Sequence, residues 1–223
     1  MGGFEAIHVV LVPGADALAF KADIAAAAER GVPAYVVKYD PPQGHPIDDC
    51  EAYYQAVSTR IHAVAADIRA LAPDARIFAF GRNLGGSILA YHAARPDKFR
   101  EDFQGLVMIG VIPELSTFRI HGDHSSAQRF RDSLSGPTEI ARINDIAPLD
   151  MTASLATHPV DRCLIQIGKQ DDYMDDRAVA IFRKLESRFP SEWLDDVHAM
   201  AAPDTVARRW AFIAALAEGG RQS

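Results

Sequence analysis

Apolar residues along this chain gather in short, nearly unbroken runs, with amphipathic stretches between them. Ala-Ile-His-Val-Val-Leu-Val at 6–12, Ile-Phe-Ala-Phe at 77–80, Gly-Leu-Val-Met-Ile-Gly-Val-Ile at 105–112 and Cys-Leu-Ile-Gln-Ile at 163–167 lack the polar alternation of a half-exposed strand. Such runs predict strands buried on both faces, as in a parallel sheet. Residues 32–39 and a short segment at 192–197 add two further strands.

Helices are expected at about Leu18 to Arg30, closed by Gly31, and from a cap at Asp48 or Asp49 to about Leu71. Others run from residue 83 to about Arg95, from Asp176 to Arg188, and onward from Pro203-Asp204. In the second helix Val57, Ile61, Val64, Ile68 and Leu71 fall at four- and three-residue steps and form one stripe to be buried. Val206, Trp210, Ile213 and Ala217 do the same in the last. Strand, turn and helix in repetition predict an α/β fold, a doubly wound and mostly parallel sheet with helices on both faces. The alternation breaks at 113–159, a more polar stretch with helices expected near 125–134 and 138–143, which suits a lid or binding loop inserted between strands. The breaker-rich loop 40–46 should cross the surface, and Gly219 to Ser223 should be disordered.

Composition narrows the class. With 223 residues, 48% of them hydrophobic, the chain is long enough for one sizeable core and short for two, so residues 1–223 are expected to form one domain. A net charge of -7, with no basic cluster interleaved with aromatics, argues against nucleic acid as a partner. Cys50 and Cys163 lack C-x-x-C spacing and suit packing roles in a reducing compartment. No apolar run reaches membrane-spanning length and no leader-like stretch opens the chain, so a cytoplasmic location is expected.

The chemistry concentrates at the ends of strands. Gly81-Arg82-Asn83-Leu84-Gly85 has the form of a G-x-S-x-G nucleophile elbow, in which Gly81 and Gly85 let strand and helix approach closely, but Asn83 stands where the serine would be. Asp171 follows the strand at 163–167, and His198 lies between the last strand and the final helix. A parallel sheet opens all its strand C-termini on one edge, so Asn83, Asp171 and His198 can converge there. Asp172 competes with Asp171 for the acidic role.

The order of elbow, acid and histidine resembles that of the α/β-hydrolases, and the likeness spans nearly the whole chain. It rests on Val-Val-Leu-Val-Pro-Gly-Ala at 9–15, Gly-Arg-Asn-Leu-Gly-Gly at 81–86, Ile-Gly-Lys-Gln-Asp at 167–171 and Val-His-Ala-Met at 197–200. The resemblance implies an oxyanion hole from the backbone N–H groups of Leu84 and Ala15, with Asp171 orienting His198 as general base. It implies a small acyl- or carbonyl-containing substrate, no cofactor and no metal. Two departures stand out: Pro13 replaces the histidine usual before that glycine, and Asn83 replaces the nucleophile.

Three functions fit. The chain is an ester or thioester hydrolase altered at its nucleophile, or a lyase, cyclase, decarboxylase or isomerase that uses His198 and Asp171 for proton transfer, or a non-catalytic ligand- or partner-binding protein. An Asn83 side chain within hydrogen-bond reach of His198 would favour a retained pocket over a decayed one. Against a metal site, His121-Gly122-Asp123-His124 has no partner cluster and suits a solvated loop. Gly85 and Gly86 are followed by no Walker lysine, which disfavours a nucleotide site.

Overall fold

The computed structural model describes residues 4, 6–14, 20–39, 50–95, 101–111, 113, 150–157 and 160–219. The unalternating apolar runs form the inner strands β1 (Ile7–Val12), β3 (Arg76–Arg82), β4 (Gly105–Ile109) and β5 (Cys163–Gly168). The shorter β2 (Ala34–Val36) and β6 (Ser191–Leu194) lie at the two edges, where one flank has no partner strand, and all their residues are only partly buried. The order is β2-β1-β3-β4-β5-β6, with every neighbouring pair parallel.

Period-2 alternation divides the strand side chains between two apolar layers. Val10, Val12, Ile77, Ala79, Leu106, Met108 and Ile165 pack with α2 (Cys50–Leu71), α3 (Leu84–Ala94) and α5 (Asp176–Glu186). Val9, Leu11, Phe78, Phe80, Val107, Ile109 and Leu164 pack with α1 (Lys21–Glu29) and α6 (Pro203–Gly219). Full burial of one such side chain contributes roughly 1.5–3 kcal/mol, whereas a polar group buried there without a partner would cost about 1–3 kcal/mol. Gln166, the one interruption in the β5 run, is fully buried and bonded at both ends of its amide.

The helix stripes hold with one exception. Val57, Ile61 and Ile68 are buried and Val64 packs partly against them, but Leu71 is 84% exposed. Periodicity places Leu71 on the buried side; it is the last residue of α2, and the apolar layer does not extend over it. Val206, Trp210, Ile213 and Ala217 of α6 are all buried. Gly219 belongs to that helix, contrary to the disorder expected from its position near the end of the chain. β3 runs two residues further than its apolar core, through Gly81 and Arg82, whereas β6 stops at Leu194 instead of Val197. α5 begins as expected because the Asp175 carboxylate caps it, accepting from the Ala178 N–H at 2.7 Å.

Of the 113–159 insertion, residue 113 and residues 150–157 are described, the latter holding α4 (Met151–Ser154) and a 3-10 turn at Leu155–Thr157. The helices expected at 125–134 and 138–143, the loop at 40–46, the caps at Asp48 and Asp49, and residues 121–124 lie outside the described residues. Among the described residues no helix is long and apolar enough to cross a membrane.

Candidate active site

Chain progression across the sheet reverses at the β1–β3 pair, and crevices at such switch points, beyond the strand C-termini, are where open α/β sheets bind ligands. Val12 is in register with Gly81, so the turns that follow β1 and β3 lie side by side. Asn83 makes the turn from β3 into α3 with φ 50° and ψ -126°. A non-glycine residue held in such a region carries strain on the order of 1–3 kcal/mol. The elbow is possible because its neighbours lack side chains. A Cβ on Gly81 would lie 2.7 Å from Gly86 Cα, and one on Gly85 would lie 2.1 Å from the Val12 carbonyl oxygen. Leu84 opens α3, where the geometry of a helix start leaves its N–H without a carbonyl of the preceding turn to donate to, while the Gly86 N–H donates to the Asn83 carbonyl at 3.0 Å.

His198 sits on the loop from β6 to α6, which crosses the ends of β4 and β5. A Cβ on Gly168 would lie 2.6 Å from the Asp196 carbonyl oxygen, so this crossing also depends on close backbone approach. Asp196 is buried and folds the loop on itself, its carboxylate accepting from the N–H groups of Val197 at 2.8 Å and Ala202 at 3.0 Å. Arg82 of the elbow donates to the His198 carbonyl at 3.2 Å.

These turns bring three side chains into line. His198 Nδ1 lies 2.8 Å from Asp171 Oδ2, and His198 Nε2 lies 2.9 Å from Asn83 Nδ2. With the ring proton on Nδ1 donated to the carboxylate, Nε2 keeps its lone pair and accepts from the Asn83 amide; this tautomer and amide orientation follow from the network. The Tyr173 N–H donates to Asp171 Oδ1 at 2.8 Å, and the Tyr173 ring lies 4.3 Å from the imidazole, centroid to centroid. Asp171 is buried and Asp172 exposed, so of the two rivals it is Asp171 that meets the histidine. Ala15 lies outside the described residues.

Several contributors had no local signal in the sequence. Arg82, Tyr173 and Asp196 act through backbone groups or ring contact, and their spacing announces none of it. Tyr39 donates its hydroxyl to the Pro13 carbonyl in the turn after β1. Burial and the neighbouring Tyr53 push the Tyr39 hydroxyl above its ordinary range, so it stays protonated as a donor.

A second cluster fastens the far end of α3. His92 Nδ1 lies 2.9 Å from Ser58 Oγ, and His92 Nε2 lies 3.1 Å from Asp102 Oδ2. Asp102 also accepts from His62 Nδ1 at 2.8 Å and Arg69 Nη1 at 3.1 Å. Burial holds His92 below its ordinary value, in keeping with a neutral ring that accepts from Ser58 and donates to Asp102. Burial alone would raise Asp102, but the hydrogen bonds from His92, His62 and Arg69 outweigh it and hold the carboxyl below the usual range. Among the described residues no group of three or more His, Cys, Asp and Glu has the arrangement of a metal site.

Solved structures share this architecture across nearly the whole chain. Esterase B from Lactobacillus rhamnosis superposes with a TM-score of 0.62 at 12% identity, covering 97% of this chain and 78% of that one. The thioesterase domain from the curacin biosynthetic pathway gives 0.55 at 12% identity, covering 94% and 91%. A Xanthomonas campestris protein described as an α/β serine hydrolase without a lid gives 0.52 at 17% identity, covering 97% and 82%. No protein-family model matches the chain, and no curated protein matches it in sequence. With the parallel sheet, the elbow at its switch point and these structural relatives in view, the chain has the α/β-hydrolase fold.

Proposed function

We propose that the chain is an ester- or thioester-hydrolase framework in which Asn83 occupies the position of the nucleophile. The observation that carries this is the aim of His198: its Nε2 points at the elbow side chain from 2.9 Å, with Asp171 behind Nδ1. In an ordinary triad that alignment takes the proton from a serine hydroxyl and later gives it to the leaving alcohol or thiol. An amide nitrogen has its lone pair delocalised into the carbonyl and is no nucleophile near neutral pH, so Asn83 forms no acyl-enzyme. Loss of a triad serine costs on the order of a millionfold in rate. The Leu84 N–H, together with that of Ala15, is our candidate for polarising a bound acyl carbonyl.

Asn83→Ser tests the proposal. The variant should turn over short activated esters such as p-nitrophenyl acetate well above the parent chain. A correctly folded variant with no gain sinks it.

A second function is supported by the same Asp171–His198 pair, whose carboxylate is buried and backbone-bonded although the serine is missing. In that case His198 moves a proton on a carbonyl substrate without a covalent intermediate, which requires the Asn83 amide to swing off Nε2. The unmodified protein would then act on its substrate, and His198→Ala would abolish that activity.

A further inference from the structure

None of the aligned trio lies inside a regular element, but Asn83 directly follows β3 and Asp171 lies three residues past β5, whereas His198 sits midway along the loop from Leu194 to Pro203, and the backbone that carries it is fastened from below. Two residues on, Met200 is fully buried with φ 45°, a conformation that disfavours a side chain, and its N–H donates to the Val197 carbonyl at 2.9 Å. The Met200 carbonyl accepts two guanidinium N–H groups of Arg209, both at 3.0 Å. Arg209 lies on α6 and is 1% exposed. Its remaining donors are all engaged: Nε and Nη2 grip the Asp23 carboxylate at 2.7 and 2.9 Å, and Nη1 also reaches Gln166 Oε1 at 3.1 Å. Asp23, itself 2% exposed, stands in the first turn of α1, the helix that follows the β1 turn.

We infer that Arg209, held by Asp23, is a positioning residue that sets the backbone of the 196–202 loop and with it the aim of the His198 imidazole at residue 83. A buried charge pair is expensive to bury and is often replaceable by apolar side chains without loss of stability, so stability alone is a weak account of its presence. The planar guanidinium presents a rigid fork of five N–H donors, which lets one side chain serve a carboxylate on α1, an amide on β5 and a carbonyl in the loop at once. A lysine ammonium cannot span all three. The pair therefore ties the helix beside the β1 turn to the loop that carries the base. The inference rests on the hydrolase framework proposed above for its kinetic readout, but its geometric readout stands without it.

The experiment uses the full chain. In an Asn83→Ser background, Arg209→Lys should lower kcat for p-nitrophenyl acetate on the order of 100-fold with KM little changed, because a displacement of about 1 Å at a catalytic group has that effect. A second variant, Asp23→Leu with Arg209→Met, replaces the ion pair by apolar side chains and leaves the Met200 carbonyl without its donors. It should show the same loss of kcat while still unfolding cooperatively in urea, at a lower midpoint than the parent because the Met200 carbonyl and Gln166 Oε1 are left buried without donors. In the chain with Asn83 intact, the proton NMR resonance of His198 Nδ1–H, identified by its disappearance in His198→Gln, should shift and broaden in both variants. That measurement involves no turnover, so an inactive Asn83→Ser protein defeats the hydrolase proposal and leaves the positioning claim to be judged by the resonance. A folded variant of either kind with unchanged kcat, or an unchanged His198 resonance, overturns the inference.

Discussion

Two places in this molecule set an acid, a histidine and a short polar side chain in a row, and each lacks what the other has. At the elbow, Asp171, His198 and Asn83 lie at the open edge of the sheet, and the imidazole retains 21% of its exposure, but the hydroxyl is missing. Under α2 and α3, Asp102, His92 and Ser58 include the hydroxyl, but Ser58 and His92 are fully buried. The imidazoles are also reversed: Asp171 binds Nδ1 of His198, whereas Asp102 binds Nε2 of His92. Residue types in a row do not by themselves mark a site; the two rows differ in access and in the strained turn that presents Asn83. The buried cluster joins the middle of α2 to the C-terminal half of α3 and to the chain before β4, which steadies the helix that Asn83 begins.

The comparison can be broken most forcefully on the kinetic side. In an Asn83→Ser protein, His198→Ala should remove ester turnover by a factor on the order of 10⁴ to 10⁶, since triad members act as a unit. In the same background Ser58→Ala should leave kcat unchanged within twofold; a large loss there would make the buried cluster part of the machinery. Asp102→Asn should act on stability instead, costing roughly 1–3 kcal/mol in urea unfolding because buried donors lose their charged acceptor, while ester turnover per folded molecule stays as it was.

Acid separates the two regions more gently. The unfolded chain protonates His92 near 6.5, whereas burial holds the folded ring below that value, so its contribution is complete above about 6.5 and declines as pH falls toward the lowered folded value. Asp102 adds a further loss only below 3.8, its ordinary value. Urea unfolding from pH 7.5 to 5 should show falling stability, with a shallower slope in His92→Gln. An equal slope in that variant would mean the cluster is not the titrating element. The smallest effect belongs to the surface: Leu71→Gln should change stability by no more than about 0.5 kcal/mol, against about 2–5 kcal/mol for Ile68→Ala one turn earlier.

What was legible in the sequence was whatever the sheet enforces locally. The inner strands announce themselves because burial on both faces forbids alternation, and the elbow does because Gly81 and Gly85 have no room for a Cβ. Asp171 and His198 could be placed because strand ends share one edge, but the choice of Asp171 over Asp172 needed burial, which adjacent positions do not disclose. Arg209 and Asp23 pair across 186 positions with no periodicity to link them. Ser58, His92 and Asp102 likewise meet only once α2 and α3 have packed. Leu71 misled because a stripe records a helix's phase and not where the core beneath it ends.

The central claim is that the elbow presents residue 83 to a working base, and a fluorophosphonate probe tests it directly. Incubated with the Asn83→Ser chain and read by intact mass and peptide mapping, the probe should add one phosphonyl group at residue 83, lost in His198→Ala, and none to the parent chain. A folded Asn83→Ser protein that stays unlabelled, or that carries the label at Ser58, would contradict the account.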